Sequence, residues 1–301
     1  MDLGLCCTFL KEPINFKTLR ATTNAALPRR QGLQRISEVI GHNLLALNSA
    51  IDWCVTNNIK SFRVCSFFAP LKAHPKLGYD FTELPDWAIH KTWFKRVKEK
   101  AQGKIRLGFH PDQFTLLNTL SITGLENAFR DIEYQCELAE LIGATTVNIH
   151  GGSTAGGKDN ALTRFRDNFH KLSPRAQLML TVENDDKAYH VADLLPLCQD
   201  LSVPLVYDVH HHRCLPDSLS IEEATEKAMA TWKTQKPLFH VSSPREGYNS
   251  RDSRPHHDYI ERVDFPEFWL DQDITVEVEA KAKECAVLQL QYELNRSLVP
   301  A

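Results

Sequence analysis

The chain has no CxxC pair, and its eight cysteines fall at no spacing that suggests a zinc ribbon. Most sit inside apolar runs such as WCVTNN, FRVCSF and LPLCQD, where reduced thiols act as small hydrophobes. No apolar run reaches the roughly 18 residues that a membrane-spanning helix needs. The first residues, MDLGLCCTFLKEP, lack both a basic leader and a long apolar stretch, so no secretory signal is expected. Excess charge of one sign is missing too. Thirty-five Lys and Arg against 38 Asp and Glu give a formal net charge of −3. That excludes a global basic field for polyanions, but a local basic cleft can still act alone. No GxGxxG-like turn follows the first apolar run, which argues against a dinucleotide fold. There is no internal repeat, low-complexity segment or linker-like shift in composition. The expectation is a cytoplasmic protein in a reducing compartment, built as one domain over 1–301 with the last few residues as a tail.

Eight short runs read as strands: DLGLCCT (2–8), SFRVCS (61–66), KIRLGFH (104–110), TTVNIH (145–150), LMLTVEN (178–184), VPLVYDV (203–209), PLFHVS (237–242) and ITVEVEA (274–280). They are rich in Val, Ile, Leu and Phe without strict alternation, which suits strands covered on both faces of a parallel sheet. Helical patterns separate them at 37–58, 88–103, 125–143, 160–173, 191–202, 221–232 and 280–294, with a poorly marked one near DFPEFWL (264–270). Gly143 is placed to cap the third of these. ATTNAALPRRQGL and SSPREGYNSRDSRPHHDY read as long loops. Eight strand–helix units over 301 residues predict an α/β protein, a single-domain (β/α)8 TIM barrel, whose sites are built at the strand C-termini.

The ends of six successive strands carry ligand-type residues. They are His110, His150, Glu183, Asp208, His240 and Glu279, and His210, His211 and His212 follow Asp208. Taken singly, each has an ordinary reading: a satisfied core histidine, a capping acid, a polar loop. Together, converged on one rim, they cannot stay unpaired, because buried carboxylates repel one another and buried imidazolium is costly. Divalent cations resolve the conflict, and neutral imidazole with carboxylate is a donor set for Zn²⁺, Mn²⁺ or Fe²⁺. Three His and three acids exceed one tetrahedral set, so at least two metals are expected, with Glu183 able to bridge them. His211 with His256 or His257 could serve a third.

In that order FRVCS, GFHPDQF, NIHGGS, TVENDD, VYDVHHH, FHVSS, PHHDYI and VEAKAKE, with ATTN near the start, resemble the UV damage endonuclease family. More distantly they resemble endonuclease IV and the xylose-isomerase-like barrels. The motifs run from about residue 3 to residue 284. The resemblance implies a metal-dependent DNA repair endonuclease that incises the backbone of double-stranded DNA on the 5′ side of pyrimidine photoproducts. It implies two or three divalent ions, most often Mn²⁺, with Zn²⁺ or Mg²⁺ as substitutes. His110, His150 and Glu183 would hold one; Glu183, Asp208, His240 and Glu279 a second; His211 and His256 a third. Gln113 and Phe114 match a pair that wedges into the duplex opposite the lesion, and Asn24 matches a residue lining the DNA groove. Three positions depart from the pattern: Leu5 where an aromatic is common, Asp112 where glycine is usual, and Leu238 where a lysine often stands.

In such a site Glu183 would orient the attacking water, and His211 or His256 would help stabilise the leaving oxygen. Arg29, Arg30, Lys72, Lys158, Arg164, Arg245, Arg251 and Arg254 lie in or near the rim loops and would form a local positive strip, which predicts salt-sensitive DNA binding. The protein is expected to act as a monomer. Two alternatives stand beside this reading: an abasic-site endonuclease or sugar-isomerase-like enzyme on the same barrel, and a non-enzymatic relative that only binds DNA or metal.

Overall fold

A computed structural model describes residues 1–297, and the expected tail, residues 298–301, lies outside the described residues. Eight strands close into a parallel barrel in sequence order: β1 (Asp2–Cys6), β2 (Ser61–Val64), β3 (Arg106–Phe109), β4 (Thr146–His150), β5 (Leu180–Glu183), β6 (Leu205–Asp208), β7 (Leu238–Val241) and β8 (Thr275–Val278). All eight predicted strands are present, trimmed at their ends.

The helices are α1 (Ala21–Ala25), α2 (Arg29–Thr56), α3 (Trp87–Ala101), α4 (Ile122–Ile142), α5 (Lys158–Phe169), α6 (Pro174–Met179), α7 (Val191–Leu201), α8 (Val209–Cys214), α9 (Ile221–Thr231) and α10 (Glu284–Ser297). Ser121 caps α4 by accepting from the Gly124 amide, and Gly143 ends it in the left-handed conformation, as its position predicts. Four local expectations are corrected. The segment expected as a loop from Ala21 onward is α1 plus the start of α2, with Pro28 opening the latter. Residues expected to begin the fifth strand instead end α6, which Ser173 caps with proline in the next position. The three histidines after Asp208 are helical rather than loop, because the Asp208 side chain caps α8 through the His211 amide at 2.8 Å. The weak helix near 264–270 is two 3₁₀ turns, Arg262–Asp264 and Glu267–Asp271, and Pro266 between them has no amide to continue a helix.

The strands alternate more strictly than their apolar content suggests. Side chains such as Leu5, Phe62, Leu107, Val147, Ile149, Val182, Phe239 and Val276 face the helices and join one continuous apolar cluster. The alternate side chains face the lumen and are largely polar: Ser61, Arg63, Arg106, Asn148, Thr181 and Glu277. A separate small cluster, Trp232, Val206 and Leu238, plugs the floor, and the Arg106 guanidinium lies 5.0 Å over the Trp232 ring. The lumen is tight enough to demand glycine at Gly4, where a Cβ would come within 2.7 Å of the Ser61 Cβ and 2.8 Å of Glu277. Leu5 therefore faces the shell and not the mouth, and an aromatic there would meet helices. No helix among the described residues is long and apolar enough to cross a membrane.

Candidate metal centre and active site

Register sets the ring. In the barrel wall His150 pairs beside Glu183, Asp208 beside His240, and His240 beside Glu277. The centre is Glu183, fully buried at the end of β5. Its Oε2 meets His110 Nε2 at 3.1 Å and accepts from the Asn148 amide, which Thr181 orients in turn at 3.0 Å. Its Oε1 lies 3.1 Å from His240 Nδ1 and 3.3 Å from His211 Nδ1. Glu279, just past β8, comes within 3.5 Å of His240 and, through its other oxygen, within 3.8 Å of His256. His110, His150 and Glu183 can share one ion, and so can Glu183, Asp208 and His211.

The eight side chains singled out as ligands are thus gathered at one mouth, though not in the expected grouping. His211 sits with Asp208 and Glu183 rather than with His256. The ring beside His256 is that of His210, at 5.3 Å. His257 turns back into its own loop, where its Nδ1 accepts from the Tyr259 amide. The helical turn sends the three rings of the triplet apart. His211 enters the ring, His210 meets the Tyr248 hydroxyl at 2.8 Å, and His212 meets the Tyr207 hydroxyl at 2.6 Å and Asp217 at 3.3 Å. Asn24 is 5 % exposed in α1 and faces Gly32. Gln113 and Phe114 stand on the loop after β3, Phe114 being 77 % exposed. The Asp112 carboxylate accepts from the Phe114 amide and stiffens that turn.

Several ring atoms are buried without a hydrogen-bond partner among the described residues: Glu183 Oε1, Asp208 Oδ2, His150 Nδ1 and His240 Nδ1. Orphaned donors and acceptors are expensive in a protein interior. Four of them converging from four strands, as carboxylate oxygens and imidazole nitrogens, is the donor set a divalent cation satisfies. Protonation follows the same geometry. Burial pushes the His150 ring down to about 4, so it is neutral and ready to ligate. Burial opposes charge on His240 as well, but Glu183 beside it raises the ring to about 10. Glu183 would be raised by burial, yet the His240 and His150 rings hold it well below the usual carboxylate range.

Arg63 and Glu277 join this cluster although motif reading passes over them. Arg63 on β2 donates through Nε to Glu277 at 2.7 Å, through Nη1 to Glu279, and approaches His240 Nε2 with Nη2 at 2.7 Å. Glu277 also accepts from Ser61 at 2.9 Å. Burial would raise Glu277, but Arg63 overrides it and holds the acid at about 2. The signal available in the sequence was period two: FRV and VEVE alternate, so Arg63 and Glu277 share the lumen side with the ligands. Asn184 was likewise missed; its amide brackets the Asp208 backbone at 2.9 Å on both sides and fixes the end of β6.

The family model described as UV-endonuclease UvdE matches residues 1–298. The chain is similar to the UV DNA damage endonuclease of Bacillus cereus (strain Q1), with 30 % identity over 291 residues that cover 93 % of this chain and 89 % of the relative. Among solved structures it resembles SacUVDE, with a TM-score of 0.86, 26 % identity and 99 % of both chains covered. Endonuclease IV from Thermus thermophilus, at 14 % identity, TM-score 0.64 and 99 % coverage of both chains, shares the fold.

Proposed function

The chain belongs to the UV-endonuclease UvdE family and is a UV DNA damage endonuclease, and from that premise we propose that its ring holds two or three divalent cations, Mn²⁺ first among them, and that it incises the strand on the 5′ side of a photoproduct. One observation carries the reading. A fully buried carboxylate, Glu183, is shared by three imidazoles and still has an oxygen without a hydrogen-bond partner among the described residues. His110, His150 and Glu183 would form one ligand group, and Glu183, Asp208 and His211 a second. His240, Glu279 and His256 extend the ring toward the open side, where His256 is 28 % exposed. Divalent cations, when bound, supply Lewis-acid activation of water and of the phosphodiester.

The chain's own groups do the positioning. Glu183 Oε1 is the acceptor that orients the attacking water. Arg63 and Glu277 hold His240 from behind, so its ring keeps one aim. His211 is fixed by its ring contact to the Asn184 carbonyl at 2.9 Å. His256, on the solvent side of Glu279, is placed to meet the leaving oxygen. Lesion recognition falls to the stiffened turn after β3, where Gln113 and Phe114 fill the gap left when poorly stacked damaged bases leave the helix.

The test is incision of irradiated, abasic and intact duplexes with Mn²⁺, together with elemental analysis of the purified protein. Cutting of the irradiated duplex alone, 5′ to the lesion, with two or three ions per chain, is the expected result. Cleavage confined to abasic sites, or full activity in a chelator, overturns the reading.

A further inference from the structure

Two clefts flank the ring. One, of about 370 Å³, runs past His150 and Gln113 and carries Asp185 and Asp186 beside Lys187. The other, of about 310 Å³, lies on the β8–β1 side and is lined by Cys7, Arg63, His256, Glu279, Lys281 and Lys283. In the first, Asp185 is turned onto the Lys187, Ala188 and Tyr189 amides, which leaves Asp186 as an acid facing a ligand. In the second the lone acid, Glu279, is already engaged by Arg63. Both lysines there lack an ion-pair partner among the described residues.

That distinguishes them from most cations expected to hold DNA. Arg29 pairs with Glu83 at 2.9 Å, Lys72 with Glu137 at 3.0 Å, Lys158 with Asp193 at 2.7 Å, Arg245 with Glu246 at 3.1 Å and Arg254 with Asp252 at 2.6 Å. Arg164 is spent on the Asn118 and Ala155 carbonyls.

The backbone points to the same place. Six non-glycine residues hold positive φ: Cys7, Asn58, Leu71, Ser202, Lys233 and Lys283. Asn58, Ser202 and Lys233 follow helix ends, where this conformation is routine. Of the remaining three, Cys7 at +66° and Lys283 at +51° both line this cleft. Unforced left-handed residues are stored strain, and strain collects where a ligand is gripped. The turn is also anchored: Glu284, next to Lys283, accepts from the Leu10, Lys11 and Glu12 amides and ties the β1–α1 loop to it.

We propose that this cleft seats a backbone phosphate of the DNA strand next to the cut, gripped by Lys281 and Lys283. The inference rests on the endonuclease reading above and adds where the strand, as opposed to the damaged bases, is held. A phosphate contact carries no lesion information. Loss of the grip therefore weakens irradiated and intact duplexes alike.

The test compares wild type, Lys281→Gln, Lys283→Gln and the double variant for binding to irradiated and intact duplexes across a salt series. Melting curves and ion content per chain confirm that fold and ring are intact. The double variant is expected to bind both duplexes more weakly and to lower the slope of log K against log salt by about 1, with arginine at both positions restoring it. Lys281→Gln alone, on an exposed side chain, gives the same direction without touching the strained residue. Intact duplex should also shield the Cys7 thiol from an alkylating reagent, read by peptide mass. A wild-type slope in a folded double variant, weakening confined to irradiated DNA, or Cys7 labelling indifferent to DNA overturns the proposal. Failure of wild type to incise irradiated duplex would instead strike the parent reading, and the slope on intact duplex separates the two.

Discussion

On β4, Val147 and Ile149 point out to the helices, whereas Thr146, Asn148 and His150 point into the barrel, and the other strands repeat the pattern. The outer face is dry, continuous and made of interchangeable apolar volume. Its burial supplies the stability, at about 25 cal/mol for each Å² removed from water. The inner face is a chain of hydrogen bonds and ion pairs running from the Trp232 floor up to Glu183: Ser61 to Glu277, Arg63 to Glu277 and Glu279, Thr181 to Asn148, Asn148 to Glu183. A TIM barrel lumen is ordinarily filled with branched apolar layers. Here that space is given to polar groups that mostly pair with one another, whereas Glu183 Oε1, Asp208 Oδ2, His150 Nδ1 and His240 Nδ1 at the mouth have no hydrogen-bond partner among the described residues. The same strands thus separate holding the fold from orienting the site.

The sharpest test sets one substitution on each face against the other. Phe239→Ala, in a ring packed 5.4 Å from Trp269, should cost about 3–5 kcal/mol by cavity formation. Arg63→Met should cost a similar amount, about 3–5 kcal/mol, because the buried Glu277 would lose its guanidinium partner. Urea unfolding should show comparable losses. The Phe239 variant should keep its full complement of ions, and the Arg63 variant should not. Adding Glu277→Leu to Arg63→Met should recover stability without recovering ion content. Equal ion content in both single variants would break the division between faces.

Next in size is Glu183→Gln. The exchange keeps shape and removes the shared charge. Incision should fall by more than the roughly 100-fold that loss of an outer partner of a metal site typically costs. Bound ions should fall with it, while the apolar shell keeps the chain folded, as far-UV circular dichroism would show. Wild-type turnover would remove Glu183 from the centre of the site.

The imidazoles and acids also make the lumen pH-sensitive where the shell is not. In the cation-free protein His240, raised by Glu183 against burial to about 10, stabilises the fold fully below its unfolded value of about 6.5. That contribution is lost as pH rises through about 10. Glu183 and Glu279 are held low, the first chiefly by His240 and the second by Arg63, each against burial. They contribute above the ordinary carboxylate range and lose it as pH falls through their folded values. Cations bound in the ring would compete with protons on its imidazoles, so affinity should tighten as pH rises and loading should release protons. Calorimetry in buffers of different ionisation enthalpy reads this directly, and proton-neutral loading at pH 7 would contradict it.

The outer face was legible in the sequence and much of the inner face was not, for a physical reason. Strands show themselves by local apolar content, so all eight were found. Ligand-type residues at strand ends show themselves by residue type, so His110, His150, Glu183, Asp208, His240 and Glu279 could be named as candidates. Arg63 and Glu277 are 214 positions apart, and nothing local links them. Treating the strands as apolar on both faces hid the period-two signal that would have placed both inside. Which of the three histidines after Asp208 enters the mouth depends on the backbone they adopt, and residue type alone does not show it. The Asp208 cap turns that segment into α8, and a helix sends consecutive side chains about 100° apart, which puts only His211 in the ring.

The smallest expected change in stability comes from Phe114. Its ring is 77 % exposed on the turn after β3 and belongs to neither face of the barrel. Phe114→Ala should leave the unfolding midpoint almost untouched, within the roughly 0.5 kcal/mol typical of surface substitutions. A single exposed apolar ring is ordinary by itself, so the wedge reading stands on the turn that Asp112 stiffens and on the DNA-binding outcome. If it wedges into DNA opposite the lesion, removing it should weaken binding to irradiated duplex far more than to intact duplex, since only damaged steps open cheaply. Lys281→Gln should weaken both equally. The two variants, assayed side by side, separate reading the damage from holding the strand, and identical losses on the two duplexes for Phe114→Ala would leave the wedge without support.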